Sequence, residues 1–161
     1  MAADVMNIVV AGLGGQGVLT ASDIIAAAAF GAGRDVKKAE VHGMSQRGGS
    51  VRTDVRFGAT GEAAVFSPMV TAGEADVLVV LADDQVDVHR AVLRAGGTLI
   101  TPESIDTDRL PHPRSLNVAM AGALSKILDF DEAVWLEAIR AVLPPKLHEI
   151  NAEAVLLGRS S

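Results

Sequence analysis

Ile8-Val9-Val10-Ala11-Gly12-Leu13-Gly14-Gly15-Gln16-Gly17 is the stretch from which the rest of the chain can be read. An apolar run enters a glycine-rich turn and leaves it into an alanine-rich amphipathic segment, which is the order strand, turn, helix. Gly12, Gly14 and Gly17 fit the G-x-G-x-x-G pattern. That pattern combines a tight turn, close approach of the backbone to a ligand phosphate, and close packing of the helix on its strand. Only residues without a Cβ allow all three. The open N–H groups that start the helix, at the positive end of its dipole, then form a small anion site. Gly12, Gly14, Gly15, Gln16 and Gly17 are therefore candidate ligand-facing residues. A purely structural role, in which the glycines only let helix and strand pack, fits the same pattern.

Working outward, the first strand is expected over residues 6–11 and its helix from about Gly15 to Phe30, ended by Gly31 and Gly33. In that helix Val18, Ala21, Ile25, Ala28 and Ala29 fall at offsets 0, 3, 7, 10 and 11. Val36 to His42 reads as a second strand, and its Glu40 stands 23 residues beyond Gly17, near the interval at which a dinucleotide-binding fold carries a ribose-binding acid. Gly43-Met44-Ser45-Gln46-Arg47-Gly48-Gly49-Ser50 follows as a polar, glycine-rich loop. Val51, Thr53, Val55 and Phe57 then alternate with Arg52, Asp54 and Arg56, the mark of a strand with one wet face.

Further strands are expected at Glu62 to Phe66, at the continuous apolar run Val77 to Leu81, and at Thr98 to Thr101. Asp83 and Asp84 are placed to cap a helix carrying Val88, Ala91, Val92 and Ala95, stopped by Gly96-Gly97. Residues 102–116, with Pro102, Pro111 and Pro113, show no period and are expected to be an ordered connection. Asn117 is read as the cap of a helix bearing Met120, Leu124, Ile127 and Leu128. Trp135, Ala138, Ile139 and Val142 mark another helix, and the last runs from about Leu147 to Leu157 and stops at Gly158. These elements predict a single α/β domain: a Rossmann-like, mostly parallel sheet with helices on both faces and the glycine turn at the carboxyl end of a central strand.

Composition narrows the function. At 161 residues and 49% hydrophobic, the chain is long enough for a full core and argues against disorder. No apolar run reaches the roughly 20 residues a membrane helix needs, and Met1-Ala2-Ala3-Asp4 lacks a basic signal-peptide flank, so a soluble cytoplasmic protein is expected. The chain has no cysteine, which removes disulfides, thiolate catalysis and cysteine-held iron–sulfur clusters. Net charge is -6, yet residues 34–56 carry +3, from six basic against three acidic side chains. Such an island suits a phosphorylated ligand or an acidic partner surface, while the absence of Tyr and of overall positive charge argues against nucleic acid. His42, His89, His112 and His148 have no metal-ligand spacing, and Ser45 and Ser50 lack a nucleophile-elbow context.

Two long motifs carry a resemblance. Gly12-Leu13-Gly14-Gly15-Gln16-Gly17-Val18 and Glu40-Val41-His42-Gly43-Met44-Ser45-Gln46-Arg47-Gly48-Gly49-Ser50-Val51, continued by Arg56-Phe57-Gly58, Ser67-Pro68, Gly73-Glu74-Ala75-Asp76, Asn117, Gly122-Ala123-Leu124, Lys146 and Asn151, resemble the gamma subunit or domain of 2-oxoacid:ferredoxin oxidoreductases. A free-standing chain of this size is most similar to the small beta subunit of the indolepyruvate type. The resemblance implies one gamma-type domain over residues 1–161 and a complex that oxidatively decarboxylates a 2-oxoacid to an acyl-CoA. It also implies a large partner subunit holding thiamine diphosphate and iron–sulfur clusters, with electrons leaving to ferredoxin. This chain would bind no cofactor alone and could self-associate when isolated.

The expected site joins Gly14, Gly15, Gln16 and Gly17 to Ser45, Gln46, Arg47 and Gly48 in a positive cleft, open to the phosphates of coenzyme A or facing the partner's thiamine diphosphate. Arg47 supplies the charge there, or else pins its own loop. A stand-alone nicotinamide-dependent reductase and a non-catalytic partner-binding subunit are the rival readings.

Overall fold

A computed structural model describes residues 5–42 and 49–161. Five strands form one sheet, β1 (Val5–Leu13), β2 (Val36–His42), β3 (Ser50–Gly58), β4 (Ala75–Val80) and β5 (Leu93–Ile100), in the order β2-β3-β1-β4-β5. β1 pairs parallel with β4, and β4 with β5, whereas β3 is antiparallel to both β1 and β2. β3 thus runs against the other four strands, so the sheet is mostly of one direction but mixed in its pairing. The reason is chain length: residues 43–49 between β2 and β3 are too few for the crossover that a parallel neighbour requires.

The two faces are covered unequally. Ile8 and Val10 of β1, Val55 and Phe57 of β3, and Val77 and Val79 of β4 pack in one apolar core with α1 (Val18–Gly31), α3 (Leu116–Ser125), α4 (Glu132–Val142) and α5 (His148–Ser160). Val9, Leu78 and Val80, one residue out of step, point to the opposite face. There they meet Val70, Val86 and Val92, contributed by a connection and by short helical turns that include α2 (Val86–His89).

Several local expectations change. The helix expected to carry Val88 to Ala95 is a run of 3-10 turns around α2, and β5 begins at Leu93. Its apolar period does not mark a buried face, since Val88 is 60% exposed. Gly96, with φ 76°, and Gly97 do not stop a helix but form a wide bulge: between the pairs Ala75–Leu93 and Val77–Thr98, β4 spends one residue and β5 four. No strand forms at residues 62–66, where the Val65 N–H is taken by the Asp35 carboxylate at 2.8 Å instead of a ladder partner. Asp83 and Asp84 make no side-chain cap.

Asn117 lies inside α3, not at its cap. Gly158 lies within α5, against α3: a Cβ built on it would stand 1.7 Å from the Ala119 carbonyl oxygen, and one on Gly122 of α3 would stand 2.1 Å from the Val155 carbonyl oxygen. The two glycines let the helix backbones touch, which is why a helix-stop reading of Gly158 fails.

Candidate functional site

The glycine turn closes on itself through Gln16. Its backbone N–H donates to the Leu13 carbonyl at 3.1 Å, its Oε1 accepts the Leu13 N–H at 2.7 Å, and its Nε2 donates to the Leu81 carbonyl at 3.4 Å. Gln16 is therefore a latch that ties the end of β1 to the end of β4. Gly12 has no room for a Cβ, which would fall 2.9 Å from Gln16 Oε1 and 3.2 Å from Leu81 Cβ. Gly15 and Gly17 take positive φ values of 92° and 82°, open to glycine without strain. Gly17 is the N-cap of α1 and has no side chain to satisfy the first amides of that helix, so they remain free for an anion.

The second rim comes from β3. Leu13 pairs with Ser50, and the Gly14 N–H donates to the Gly49 carbonyl at 2.9 Å. β2 reaches the same edge at His42, so both flanks of the glycine-rich loop border the turn. Ser45, Gln46, Arg47 and Gly48 themselves lie outside the described residues.

Much of the basic island proves to be internally paired. Arg52 binds both carboxylate oxygens of fully buried Asp54, at 2.7 and 3.0 Å, and Asp54 also accepts the Val70 N–H at 2.8 Å. Arg56 donates to Asn7 Oδ1 at 2.7 Å and to the Ser67 carbonyl at 2.6 Å, Arg34 to the Gly58 carbonyl at 3.0 Å, and Lys38 pairs with Asp23 and Glu40. Among the described residues these cations hold the fold and do not form a free field. Glu40 sits mid-strand opposite Thr53, and β3 separates its strand from the glycine turn, so the neighbouring ribose position of a dinucleotide fold is not built here.

His89 is drawn into this rim: its Nε2 lies 3.0 Å from Ser50 Oγ. Burial, and next the Arg52 guanidinium, hold its imidazole below the usual histidine range, while Asp54 opposes them. A histidine depressed by folding stabilises fully above its unfolded value of about 6.5 and loses that contribution as pH falls through the folded value. NMR titration should accordingly place His89 below 6.5, and His89→Gln should flatten the acid limb of the stability curve; a midpoint at or above 6.5 would contradict this environment.

The connection that shows no period supplies what sequence reasoning missed. It is a series of 3-10 turns, Pro102–Ser104, Thr107–Arg109 and Pro113–Ser115, and the last places Arg114 beside the glycine turn. His112 Nδ1 accepts the Arg114 N–H at 3.1 Å, leaving the guanidinium exposed. A cleft of about 490 Å³ is lined by Gly15, Gln16, Gly17, Leu81, Arg114 and Asn117 among others. Asn117 Nδ2 donates to the Gly17 carbonyl at 3.2 Å, joining the start of α3 to the start of α1 across 100 residues of sequence. The only local signal was a lone arginine between Pro113 and a helix start. Among the described residues no cluster of three or more His, Cys, Asp or Glu could hold a metal ion, and no helix is long and apolar enough to cross a membrane.

Residues 7–113 match the family model described as pyruvate ferredoxin/flavodoxin oxidoreductase. The indolepyruvate oxidoreductase subunit IorB of Thermococcus kodakarensis is 34% identical, over 94% of this chain and 93% of its own length. That of Pyrococcus horikoshii is 32% identical over the same shares. Among solved structures, the gamma subunit of a keto/oxoacid ferredoxin oxidoreductase from Geobacter sulfurreducens superposes with a TM-score of 0.78 at 22% identity, covering 98% of this chain and 96% of that one. A 2-oxoglutarate:ferredoxin oxidoreductase from Magnetococcus marinus, with 2-oxoglutarate, coenzyme A and succinyl-CoA bound, gives 0.79 at 19% identity, covering 98% of this chain and 31% of that one. At these identities the two structures establish a shared fold.

Proposed function

Since the chain belongs to the pyruvate ferredoxin/flavodoxin oxidoreductase family, we propose that it is the small, cluster-free subunit of a cytoplasmic 2-oxoacid:ferredoxin oxidoreductase that converts indolepyruvate, with coenzyme A, to the acyl-CoA. The end-to-end match to the archaeal indolepyruvate subunits carries this reading. Iron–sulfur clusters belong to the large partner, because this chain has no cysteine to ligate one. Thiamine diphosphate, also on the partner, supplies the carbanion chemistry of decarboxylation.

This chain's part is binding and orientation. In the turn, held rigid by the Gln16 latch, the amides of Gly15 and Gly17 are left for a ligand while those of Leu13, Gly14 and Gln16 are bonded internally, the α1 N-terminus adds a positive end, and Arg114 adds a guanidinium. Together with Ser45, Gln46, Arg47 and Gly48 they form a shared cleft for the phosphates of coenzyme A, or one that faces the partner's thiamine diphosphate. A stand-alone nicotinamide reductase is disfavoured by the position of Glu40, one strand removed from the turn.

The reading is tested by viologen-coupled oxidation of indolepyruvate with this chain, the cluster-bearing partner, and the two mixed. Within the reconstituted complex, Arg47→Ala should raise the KM for coenzyme A about tenfold, the worth of one charge-assisted contact of about 1.5 kcal/mol. Unchanged KM and kcat in a folded variant would remove Arg47 from the site.

A further inference from the structure

The parallel ladder between β1 and β4 is interrupted by a side chain at the mouth of the cleft. Leu81 donates its N–H to the Ala11 carbonyl at 2.9 Å, which continues the register in which Ala11 lies opposite Val80. In a parallel ladder, a residue that gives its N–H to one carbonyl accepts the N–H two residues further along the same neighbour. The next bond would therefore run from the Leu13 N–H to the Leu81 carbonyl. The Gln16 amide stands in its place: Oε1 accepts the Leu13 N–H at 2.7 Å, and Nε2 donates to the Leu81 carbonyl at 3.4 Å. On the other flank β1 stays paired with β3 as far as Leu13 opposite Ser50, so the strand that departs here is β4, which ends at Val80.

A primary amide suits this position because it carries both an acceptor and a donor, like the peptide groups it joins. Its seat is Gly12. A Cβ there would fall 2.9 Å from Gln16 Oε1, 3.0 Å from Val18 Cγ2 and 3.2 Å from Leu81 Cβ, so the amide lies over bare backbone. Two hydrogen bonds in series hold the Leu13 nitrogen and the Leu81 oxygen further apart than the about 2.9 Å of one direct bond. The gap they keep belongs to the cleft of about 490 Å³ lined by Gly15, Gln16, Gly17 and Leu81. Gly15 and Gly17, whose amides are not bonded within the turn, flank Gln16 in the chain and move with it.

We infer that Gln16 is a positioning residue: its side-chain amide spaces the ends of β1 and β4 and so sets where the Gly15 and Gly17 amides meet a diphosphate group. Coenzyme A and thiamine diphosphate both carry that group. The inference rests on the oxidoreductase reading for the identity of the ligand, and not for the spacing. Without the amide the strands close directly, since the backbone groups it separates are a matched donor and acceptor. Losing the side chain is then cheap for the fold and costly for the site. A side chain of equal length without hydrogen-bonding groups keeps the space filled but leaves both backbone groups unpaired, so it is costly for the fold and cheap for the site.

Gln16→Ala and Gln16→Met separate the two effects. In the isolated chain, NMR couplings across hydrogen bonds should join the Leu13 amide to the Gln16 side-chain carbonyl carbon in the wild type, and to the Leu81 carbonyl carbon in Gln16→Ala. Tm should stay within about 2 °C for Gln16→Ala and fall by about 4–8 °C for Gln16→Met. In the complex reconstituted with the cluster-bearing partner, Gln16→Ala should raise either the KM for coenzyme A or the half-saturating concentration of thiamine diphosphate about tenfold. Its kcat at saturation should stay within about twofold, and Gln16→Met should keep both constants within about threefold of wild type. The ligand that responds is the one whose diphosphate the cleft receives. A merely structural Gln16 would make Tm and affinity fall together in each variant, and that result would overturn the inference. So would a wild-type Leu13 amide coupled to the Leu81 carbonyl, no such coupling in Gln16→Ala, or unchanged constants for both ligands in that variant. A wild-type mixture without turnover would instead defeat the oxidoreductase reading and with it the ligand, while the couplings and the Tm contrast would still decide whether Gln16 is the spacer.

Discussion

Viologen-coupled oxidation of indolepyruvate is expected at background for this chain alone and at least about a hundredfold higher when it is mixed with its cluster-bearing partner, with the partner alone also close to background. The size of the effect follows from what each chain holds. This one has no cysteine for a cluster and, among the described residues, no group of side chains that could hold a metal ion. What we propose it contributes is an edge that orients an anion: the latched glycine turn, a helix start without a side-chain cap, and Arg114. Removing an edge that orients a substrate leaves the chemistry intact but misplaced, and misplacement by about 1 Å costs on the order of a hundredfold in rate. Full turnover by the partner without this chain, or appreciable turnover by this chain alone, would defeat the proposed division of labour.

Gly158→Ala should destabilise the chain by about 2–4 kcal/mol, against the gain of up to about 1 kcal/mol that alanine brings to a helix interior. The reason is contact between backbones. The new methyl would sit 1.7 Å from the Ala119 carbonyl oxygen and 2.9 Å from the Ala123 nitrogen, neither of which can rotate away, so α3 and α5 must separate. At about 2–4 °C per kcal/mol for a chain of this size, Tm should fall by roughly 4–16 °C. Gly31→Ala is the control. Its Cβ would meet nothing nearer than Val134 Cγ1 at 3.8 Å, and its Tm should hold or rise slightly. Equal behaviour of the two variants in thermal unfolding would mean that the close helix crossing is not formed.

Legibility followed the range of the forces. β1, α1, β2, β3, β4 and α4 could be read because each announces itself within ten or so residues, by alternation, by a helical period or by a continuous apolar run. The edge shared by the glycine turn and the flanks of the following loop was also legible, since the short connection from β2 makes β3 its antiparallel neighbour and returns the chain from the same edge. What failed was set from far away. Asn117 looked like a cap because polar residues cluster at helix starts, but its partner is Gly17, 100 residues earlier. Gly158 looked like a stop because nothing in its neighbourhood reveals Ala119 beneath it. Leu93 to Ile100 was divided between helix and strand because Gly96 and Gly97 punctuate either, and only pairing with β4 decides that they form a bulge. Arg114 escaped because consecutive 3-10 turns have no side-chain period to read.

The bulge in β5 bears on how copies of this protein behave at high concentration. A sheet with two open sides offers its outer strands as templates for other chains, and a long, flat, apolar edge invites fibrils. Here the β5 side is interrupted by four residues opposite one, with the positive φ of Gly96 at the break and Arg94 reaching back to Asp76 Oδ1 at 2.8 Å. A second molecule cannot extend a regular ladder across that gap. The β2 side is guarded differently, by Lys37, Lys38 and Glu40 in a seven-residue strand. Strand-to-strand polymerisation is thereby discouraged at both margins, so concentrated solutions of the folded chain are expected to stay free of β-fibrils, and association to proceed through helices and loops instead.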